Sequence, residues 1–224
     1  MAEAMGGGIR EVPVTCHVLG LDDLPQDWMD RLSLVAPRYQ GLVRAIRPEM
    51  ARRAEFAAGF LLRQVLGVRE DGDLVRGEFG KPSLARGDGS AFSLSHDDGM
   101  AVLAVANEPI GVDVEEIPAS YGDPQRSALR YVLTPEELAA VDGGDDPALA
   151  FARAWTQVES VLKADGHGFA YPVRGGRLPG GWEVSSETYG GHVISCAARR
   201  PPRVVIVPHA LSPDAPPPDP GAWA

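Results

Sequence analysis

The stretch Ile110-Gly111-Val112-Asp113-Val114-Glu115 alternates aliphatic residues with a glycine and two carboxylates, and the fold can be worked out from it. Residues two apart on a strand share a face, so the aliphatic side chains predict one buried face. On the other face, Asp113 and Glu115 would stand about 6.7 Å apart, and Gly111 would leave room for whatever approaches. Two anions this close repel unless a cation or donors lie between them. The strand is therefore either one side of a magnesium or manganese site or a solvated strand face.

A long helix is predicted over residues 147–165. Asp146 precedes Pro147 as a helix-start signal, and Gly166 is a typical terminator. An apolar stripe marks its core face, formed by Phe151, Ala154, Val158 and Leu162. Glu159 and Lys163 lie one turn apart on the neighbouring stripe. They form either an exposed helix salt bridge, worth about 0.3–0.5 kcal/mol, or a third metal ligand and a cation for a phosphate.

The segment Phe92-Ser93-Leu94-Ser95-His96-Asp97 predicts a strand that ends in polar side chains. Ser95 and His96 are suitable donors to a phosphate, although a lone histidine in a turn is often structural. Adjacent residues point in different directions, so the two do not form a hydrolase triad, and no G-x-S-x-G motif supports one.

The remaining periodicity predicts an α+β architecture in two halves that divide near Pro109. Strands are expected at 12–19, 91–95, 100–106, 110–115, 182–185, 192–198 and 204–207, and helices at 53–66, from Thr134-Pro135 onward, and at 147–165. We assign 1–109 to an N-terminal subdomain and 110–210 to a C-terminal subdomain. The Pro-rich tail at 211–224 is expected to be disordered.

Composition excludes several classes of function. The net charge of −10 over 224 residues argues against broad binding of nucleic acid or anionic membranes, although six arginines lie between Pro37 and Gly67. No apolar run reaches the ~18 residues of a membrane span, and the first residues lack the features of a secretory signal. Cys16 and Cys196 form neither a disulfide framework nor a metal site. We expect a cytoplasmic protein with two reduced, packed thiols.

The order and spacing of four blocks resemble the Sfp-type 4'-phosphopantetheinyl transferases. The blocks are Gly80-Lys81-Pro82, then 92–96, then 111–115, then Trp155 through Glu159-Ser160 to Lys163. They correspond to the family patterns G-K-P, F-[SN]-[LI]-S-H, G-[IV]-D-[IV]-E and W-x-x-K-E-[SA]-x-x-K. The resemblance covers residues 52–168, about half of the chain.

The resemblance implies a fold, a reaction and roles for the matching residues. It implies two similar α/β subdomains related by pseudo-twofold symmetry, with coenzyme A in the cleft between them. The enzyme would transfer 4'-phosphopantetheine from coenzyme A to a serine of acyl or peptidyl carrier proteins, releasing adenosine 3',5'-bisphosphate. Magnesium, or manganese in its place, would be held by Asp113, Glu115 and Glu159. Residues that would contact coenzyme A phosphates are Arg52, Arg53, Lys81, Ser95, His96 and Lys163.

Catalysis would depend on Glu159 as the base that activates the carrier serine, either directly or through a metal-bound water. The metal and Lys163 would stabilise charge on the departing pyrophosphate oxygens. We expect a monomer, in a pathway of polyketide or nonribosomal peptide biosynthesis. One residue departs from the family pattern, because Val158 replaces the usual lysine, and its place on the apolar stripe suits packing. Two alternatives stay open: a non-catalytic homologue that binds coenzyme A, and a metal-dependent phosphohydrolase.

Overall fold

The computed structural model describes residues 10–173 and 177–211. Its strands are β1 (Val12–Gly20), β2 (Leu74–Arg76), β3 (Pro82–Leu84), β4 (Ala91–His96), β5 (Met100–Ala106), β6 (Ile110–Glu116), β7 (Glu183–Tyr189), β8 (His192–Ala198) and β9 (Pro202–Pro208). Its helices are α1 (Pro37–Ala45), α2 (Glu49–Leu66), α3 (Asp123–Val132), α4 (Pro135–Asp142) and α5 (Pro147–Asp165). Three short 3-10 turns occupy Trp28–Leu34, Asp71–Asp73 and Gly168–Ala170. The α+β prediction is confirmed.

The strands form two main sheets and a small hairpin. The first sheet has the order β4-β5-β1-β9 and the second β6-β8-β7, while β2 pairs only with β3. All neighbours are antiparallel except β1 and β9, which run parallel with Val14 opposite Val204. The edge strands β4 and β6 lie beside each other, and the Val112 amide donates to Ser93 Oγ at 3.0 Å.

Four layers follow from the alternation of apolar residues. One core lies between α2 and the first sheet and includes Phe56 and Leu103. A second core lies between the two sheets, where Val102 and Val112 are fully buried. A third lies between the second sheet and the helices α3, α4 and α5. Because Val112 faces the first sheet, the opposite face of β6 is turned towards α5.

Three of the helix termini, the start of α4 and the ends of α2 and α5, lie where the local signals predict them. Thr134 Oγ1 accepts from the Glu137 amide at 3.2 Å, and the Glu137 carboxylate accepts from the Thr134 amide at 2.8 Å, which completes a capping box. Gly67 and Gly166 end α2 and α5 in the left-handed region, with φ of 68° and 94°. Helix α2 begins at Glu49, four residues before the predicted start.

Some elements have weak sequence signals. Helices α1 and α3 and the β2–β3 hairpin were not predicted, because each has few buried residues to establish a period. The division at 109/110 and the pseudo-twofold symmetry stay predictions. The predicted division assigns strand β9 to the second subdomain, but β9 pairs with β1 of the first sheet. Leu211 is buried in the first core, and the rest of the expected tail lies outside the described residues. No helix of the described ranges is long and apolar enough to cross a bilayer.

Candidate active site

The site is built around Asp113, which β6 carries on the face towards α5. The carboxylate is buried, and its Oδ1 accepts from Ser95 Oγ at 2.7 Å and from Lys163 Nζ at 2.5 Å. Ser95 stands near the end of β4, the strand next to β6, and Lys163 in the last turn of α5. Three elements therefore meet at one carboxylate oxygen.

Helix α5 brings Glu159 to the same place. Lys163 Nζ lies 3.7 Å from Glu159 Oε2 and also donates to Ser95 Oγ at 2.8 Å. The ammonium therefore stands between a strand carboxylate and a helix carboxylate, and the Glu159 side chain is 20% exposed. Sequence reasoning placed Glu159 and Lys163 on one stripe, and the structure brings that stripe to Asp113.

Close contact between strand and helix depends on Gly111. A Cβ at this position would lie 2.0 Å from the Ser160 carbonyl oxygen and 2.3 Å from the Ala164 amide nitrogen. Gly111 does leave room for what approaches this face of β6, as expected, and what approaches is the backbone of α5. The missing side chain lets α5 approach β6, and that approach brings Glu159 and Lys163 to Asp113.

Burial raises the pKa values of the three acids, and for Glu115 and Glu159 the charges of neighbouring carboxylates add to it. Burial, followed by the charges of Asp113, Asp97 and Glu159, raises the pKa of Glu115 to about 7. Burial and then the Asp113 charge raise the pKa of Glu159, against the opposing effect of Lys163. Burial also raises the pKa of Asp113, although Lys163 and Ser95 oppose it. The acids therefore concentrate negative charge, which Lys163, Ser95 and His192 offset in part.

This donor set fits a hard divalent cation in its chemistry. Carboxylate oxygens suit magnesium and manganese, and a cation among the three acids would relieve the repulsion that, after burial, raises the pKa values of Glu115 and Glu159. As they are placed, however, no three acidic, histidine or cysteine side chains within 10–173 and 177–211 form a group that could enclose a metal ion. Between Asp113 and Glu159 the cation present is the Lys163 ammonium.

Three of the predicted phosphate contacts, His96, Arg52 and Arg53, lie at the end of β4 and on α2. His96 Nε2 is 4.0 Å from Glu55 Oε1, so the end of β4 meets α2. Arg52 lies one helical turn before Glu55 and has its guanidinium 5.7 Å from the Trp28 ring centre. Arg53 donates to the Leu21 carbonyl at 3.1 Å. Both arginines are partly exposed and ion-paired to Glu49 at 3.3 Å.

Lys81 lies apart from these residues. Its Nζ donates to the carbonyl oxygens of Ile110 and Ala164, each at 2.9 Å. Burial lowers its pKa to about 8, against the opposing charge of Asp165. The sequence placed Lys81 among the phosphate ligands, but its ammonium is directed at the main chain of β6 and α5.

Two adjoining cavities, of about 400 and 200 Å³, open beside Lys81. Both are bounded by Phe79, Pro82 and Phe92, and the smaller one extends to Lys163 on α5. The smaller cavity is thus lined by β4 of the first sheet and by the helix that covers the second. Its walls are mainly apolar, and Lys163 is among the residues that line it.

Three further groups escaped the sequence analysis. Asp97 Oδ1 accepts from the amides of Gly99 and Met100 at 2.8 and 2.7 Å. Its Oδ2 lies 3.3 Å from His192 Nε2, and this contact joins the β4–β5 turn to the start of β8. Cys16 and Cys196 are free, buried thiols as predicted, but their sulfurs also lie 3.3 Å apart between the sheets. A chain of hydroxyl groups links the buried Thr156 and Ser195 to the half-buried Ser186, with oxygen separations of 2.7 and 2.8 Å. Each group joins residues far apart in the chain, so no local sequence motif predicts it.

Val158 packs in the core beneath α5 and is only 3% exposed. Its neighbours there include Leu162 and Val193. The expectation that valine packs well at this position is confirmed.

Comparison with known proteins gives one family. Residues 109–191 match the family model of the 4'-phosphopantetheinyl transferase superfamily. The chain is 32% identical over 123 residues to the 4'-phosphopantetheinyl transferase AcpT of Salmonella typhimurium, covering 53% of this chain and 62% of that protein. It is 28% identical over 143 residues to the transferase gsp of Aneurinibacillus migulanus, covering 61% and 57%, and 30% identical over 99 residues to Sfp of Bacillus subtilis strain 168, covering 43% and 42%.

The chain spans roughly 42–62% of the length of these curated relatives. The matched segment 109–191 contains β6 and α5, the two elements that supply Asp113, Glu115, Glu159 and Lys163. The resemblance found in the sequence motifs is therefore confirmed: this segment is similar to the 4'-phosphopantetheinyl transferase superfamily.

Proposed function

We propose that this protein transfers 4'-phosphopantetheine from coenzyme A to a serine of acyl or peptidyl carrier proteins. The observation that supports this most directly is the convergence of Asp113, Glu159 and Lys163 beside a cavity, within the segment that matches the family. The relatives' names as 4'-phosphopantetheinyl transferases agree with the reaction.

The three carboxylates are proposed as the ligands of magnesium, or of manganese in its place. Magnesium shares its coordination shell readily with phosphates, and when bound it would neutralise charge on the pyrophosphate of coenzyme A. With Asp113 engaged in that role, Lys163 becomes free to donate to the same pyrophosphate. The ammonium already lies 2.8 Å from Ser95 Oγ, so it would keep a polar contact there.

The remaining polar residues are proposed to hold coenzyme A. Ser95 and His96 lie at the end of β4 and would donate to phosphate oxygens. Arg52 and Arg53 stand near the start of α2, whose Glu55 approaches His96, and would bind the 3'-phosphate. The apolar cavities would accept the uncharged pantetheine arm.

Glu159 is proposed as the base of the transfer step. The carrier serine oxygen attacks the β-phosphorus of coenzyme A, its proton passes to Glu159, and the bond from that phosphorus to the bridging oxygen breaks. Adenosine 3',5'-bisphosphate leaves with the bridging oxygen.

The test is incubation with magnesium, coenzyme A and a panel of apo-carrier proteins, followed by intact mass measurement. We expect a mass gain of one phosphopantetheine on the carrier. Glu159→Gln should slow it by about 10²–10⁴-fold, and Asp113→Ala should abolish it, with the thermal unfolding of Glu159→Gln close to that of the wild type. Glu136→Gln, which alters an exposed acid on α4, is the matched control and should transfer at the wild-type rate.

Other outcomes would overturn the proposal. Binding of coenzyme A with no transfer to any carrier of the panel would indicate a non-catalytic homologue. Release of adenosine 3',5'-bisphosphate without a carrier would indicate a phosphohydrolase. Wild-type transfer by Glu159→Gln would remove the assignment of the base. The proposal includes a cytoplasmic monomer, which light scattering and cell fractionation test separately.

A further inference from the structure

Lys81 is held in place by a tight turn between β2 and β3. The Gly77 amide donates to the Lys81 carbonyl at 3.0 Å, and the Gly80 amide donates back to Gly77 at 2.9 Å. Gly80 has a φ of 84°, which favours glycine, and Arg76 Nη1 donates to its carbonyl at 2.8 Å. The backbone of Lys81 therefore has a defined starting point, from which the side chain reaches the second half of the molecule.

The two acceptors of Lys81 lie on either side of the tightest helix–strand contact. Ile110 is the first residue of β6 and precedes Gly111, and Ala164 is in the last turn of α5. Carbonyls in a last helical turn lack intrahelical partners, and a cation near them is favourable. The Lys81 ammonium supplies a donor to one such carbonyl and a second donor to the start of the strand, each at 2.9 Å.

The same contact aligns the acidic site. Asp113 follows Ile110 by three residues along β6, and Lys163 immediately precedes Ala164. A change in the distance between the two Lys81 acceptors would therefore change the separation of Asp113 from Lys163 and Glu159. The half-buried stem also packs near the end of α5, where Lys81 Cδ would lie 3.5 Å from a Cβ at Gly166.

From this geometry we infer that Lys81 is a positioning residue, which holds α5 against β6 and so keeps Glu159 and Lys163 in register with Asp113. It acts through two main-chain carbonyls and not as a ligand of coenzyme A phosphates. The inference rests on the proposed function for its catalytic consequence. Its structural part, a clamp between two elements, can be measured without coenzyme A.

The first experiment compares Lys81→Met and Lys81→Gln with the wild type by amide hydrogen exchange, with no ligand added. Lys81→Met removes both donors, so exchange should accelerate at least tenfold in peptides spanning 110–115 and 160–166. Lys81→Gln keeps an N–H donor without the charge and should restore part of the protection. Arg86→Met is the control, because Arg86 Nη1 donates at 2.7 Å to the Leu66 carbonyl at the end of α2, away from the acids.

The second experiment measures transfer kinetics and separates the clamp from a phosphate ligand. For Lys81→Met we expect kcat to fall about 10–100-fold while KM for coenzyme A stays within about twofold, because small displacements of reacting groups are costly. Lys81→Gln should recover part of kcat. The dependence of coenzyme A binding on salt concentration should match the wild type in both variants, because no contact between Lys81 and a phosphate is lost.

The two proposals fail in different ways. Unchanged exchange at 110–115 and 160–166 in Lys81→Met would overturn the clamp, and so would a tenfold rise in KM with kcat unchanged. Absence of transfer by the wild-type protein would overturn the proposed function, while the exchange result would still decide the role of Lys81. If Lys81→Met does not fold, the exchange and kinetics of Lys81→Gln decide: a rise in KM with normal exchange sinks the inference.

Discussion

Replacing Gly111 with alanine tests the packing that brings the acidic residues together. The added Cβ would lie 2.0 Å from the Ser160 carbonyl oxygen, whereas carbon and oxygen in favourable contact are about 3.3 Å apart, so α5 must withdraw by about 1.3 Å. The obstacles are backbone atoms of a helix, which cannot rotate away as a flexible side chain would. Glu159 and Lys163 would withdraw from Asp113 together with the helix.

The losses of stability and of transfer rate can be estimated from this displacement. Overpacking a well-packed core costs about 1–3 kcal/mol, and a helix displaced by its own backbone belongs at the upper end of that range. In a protein of this size, about 3 kcal/mol lowers Tm by about 6–12 °C. Misplacing catalytic groups by about 1 Å costs about 10²-fold in rate, so transfer should fall by at least that factor.

Calorimetric unfolding and the carrier mass assay measure these two effects. The matched control is Gly41→Ala in α1, where a Cβ would meet nothing within 4 Å. It should be neutral or stabilise by about 0.5–1 kcal/mol, because alanine is the better helix former. If Gly111→Ala unfolds and transfers like the wild type, the helix–strand contact does not set the geometry of the site.

Two further predictions concern regions away from the acids. Thr134→Ala removes the oxygen that accepts from the Glu137 amide, so it should lower the free energy of unfolding by about 1 kcal/mol and Tm by about 2–4 °C. Transfer should be unchanged. An unaltered Tm would show that the cap is dispensable. His17 Nδ1 lies 2.8 Å from His209 Nε2, and burial followed by the His209 charge lowers the pKa of His17 to about 4. Between pH 6.5 and about 4 the unfolded chain therefore binds more protons, and stability should fall with falling pH by at most about 1.4 kcal/mol per pH unit for this residue. In denaturant titrations, the free energy of unfolding of His17→Gln should depend less on pH over this range than that of the wild type. An equal pH dependence in the two proteins would contradict this prediction.

The contact between Lys163 and Asp113 connects the structure to the proposed reaction. The lysine stands where a cation is needed between two carboxylates, and it also reaches Ser95 on the neighbouring strand. Binding of a divalent cation by the acids would release this ammonium towards a phosphate. One side chain would then offset the negative charge of the acids before coenzyme A binds and contact the pyrophosphate afterwards.

Local patterns alone determined much of this protein. Alternation placed Asp113 and Glu115 on one face of β6, helical spacing placed Glu159 beside Lys163, and capping residues marked both ends of α5. These predictions succeed because strand and helix periods depend only on neighbouring residues. The order of the four motifs added the resemblance to a family, and the match of residues 109–191 to that family's model agrees with it.

Tertiary structure decided which distant residues meet. The pattern around Gly111 shows a residue without a side chain, but only the packed layers show that the α5 backbone occupies the space. Likewise, the G-K-P motif shows that a lysine is present at position 81, but it does not show what the ammonium contacts. The carbonyl oxygens that accept from Lys81 lie 29 and 83 residues further along the chain. Contacts of this kind depend on how layers stack and how closely they approach, and no repeat within a single element specifies either quantity.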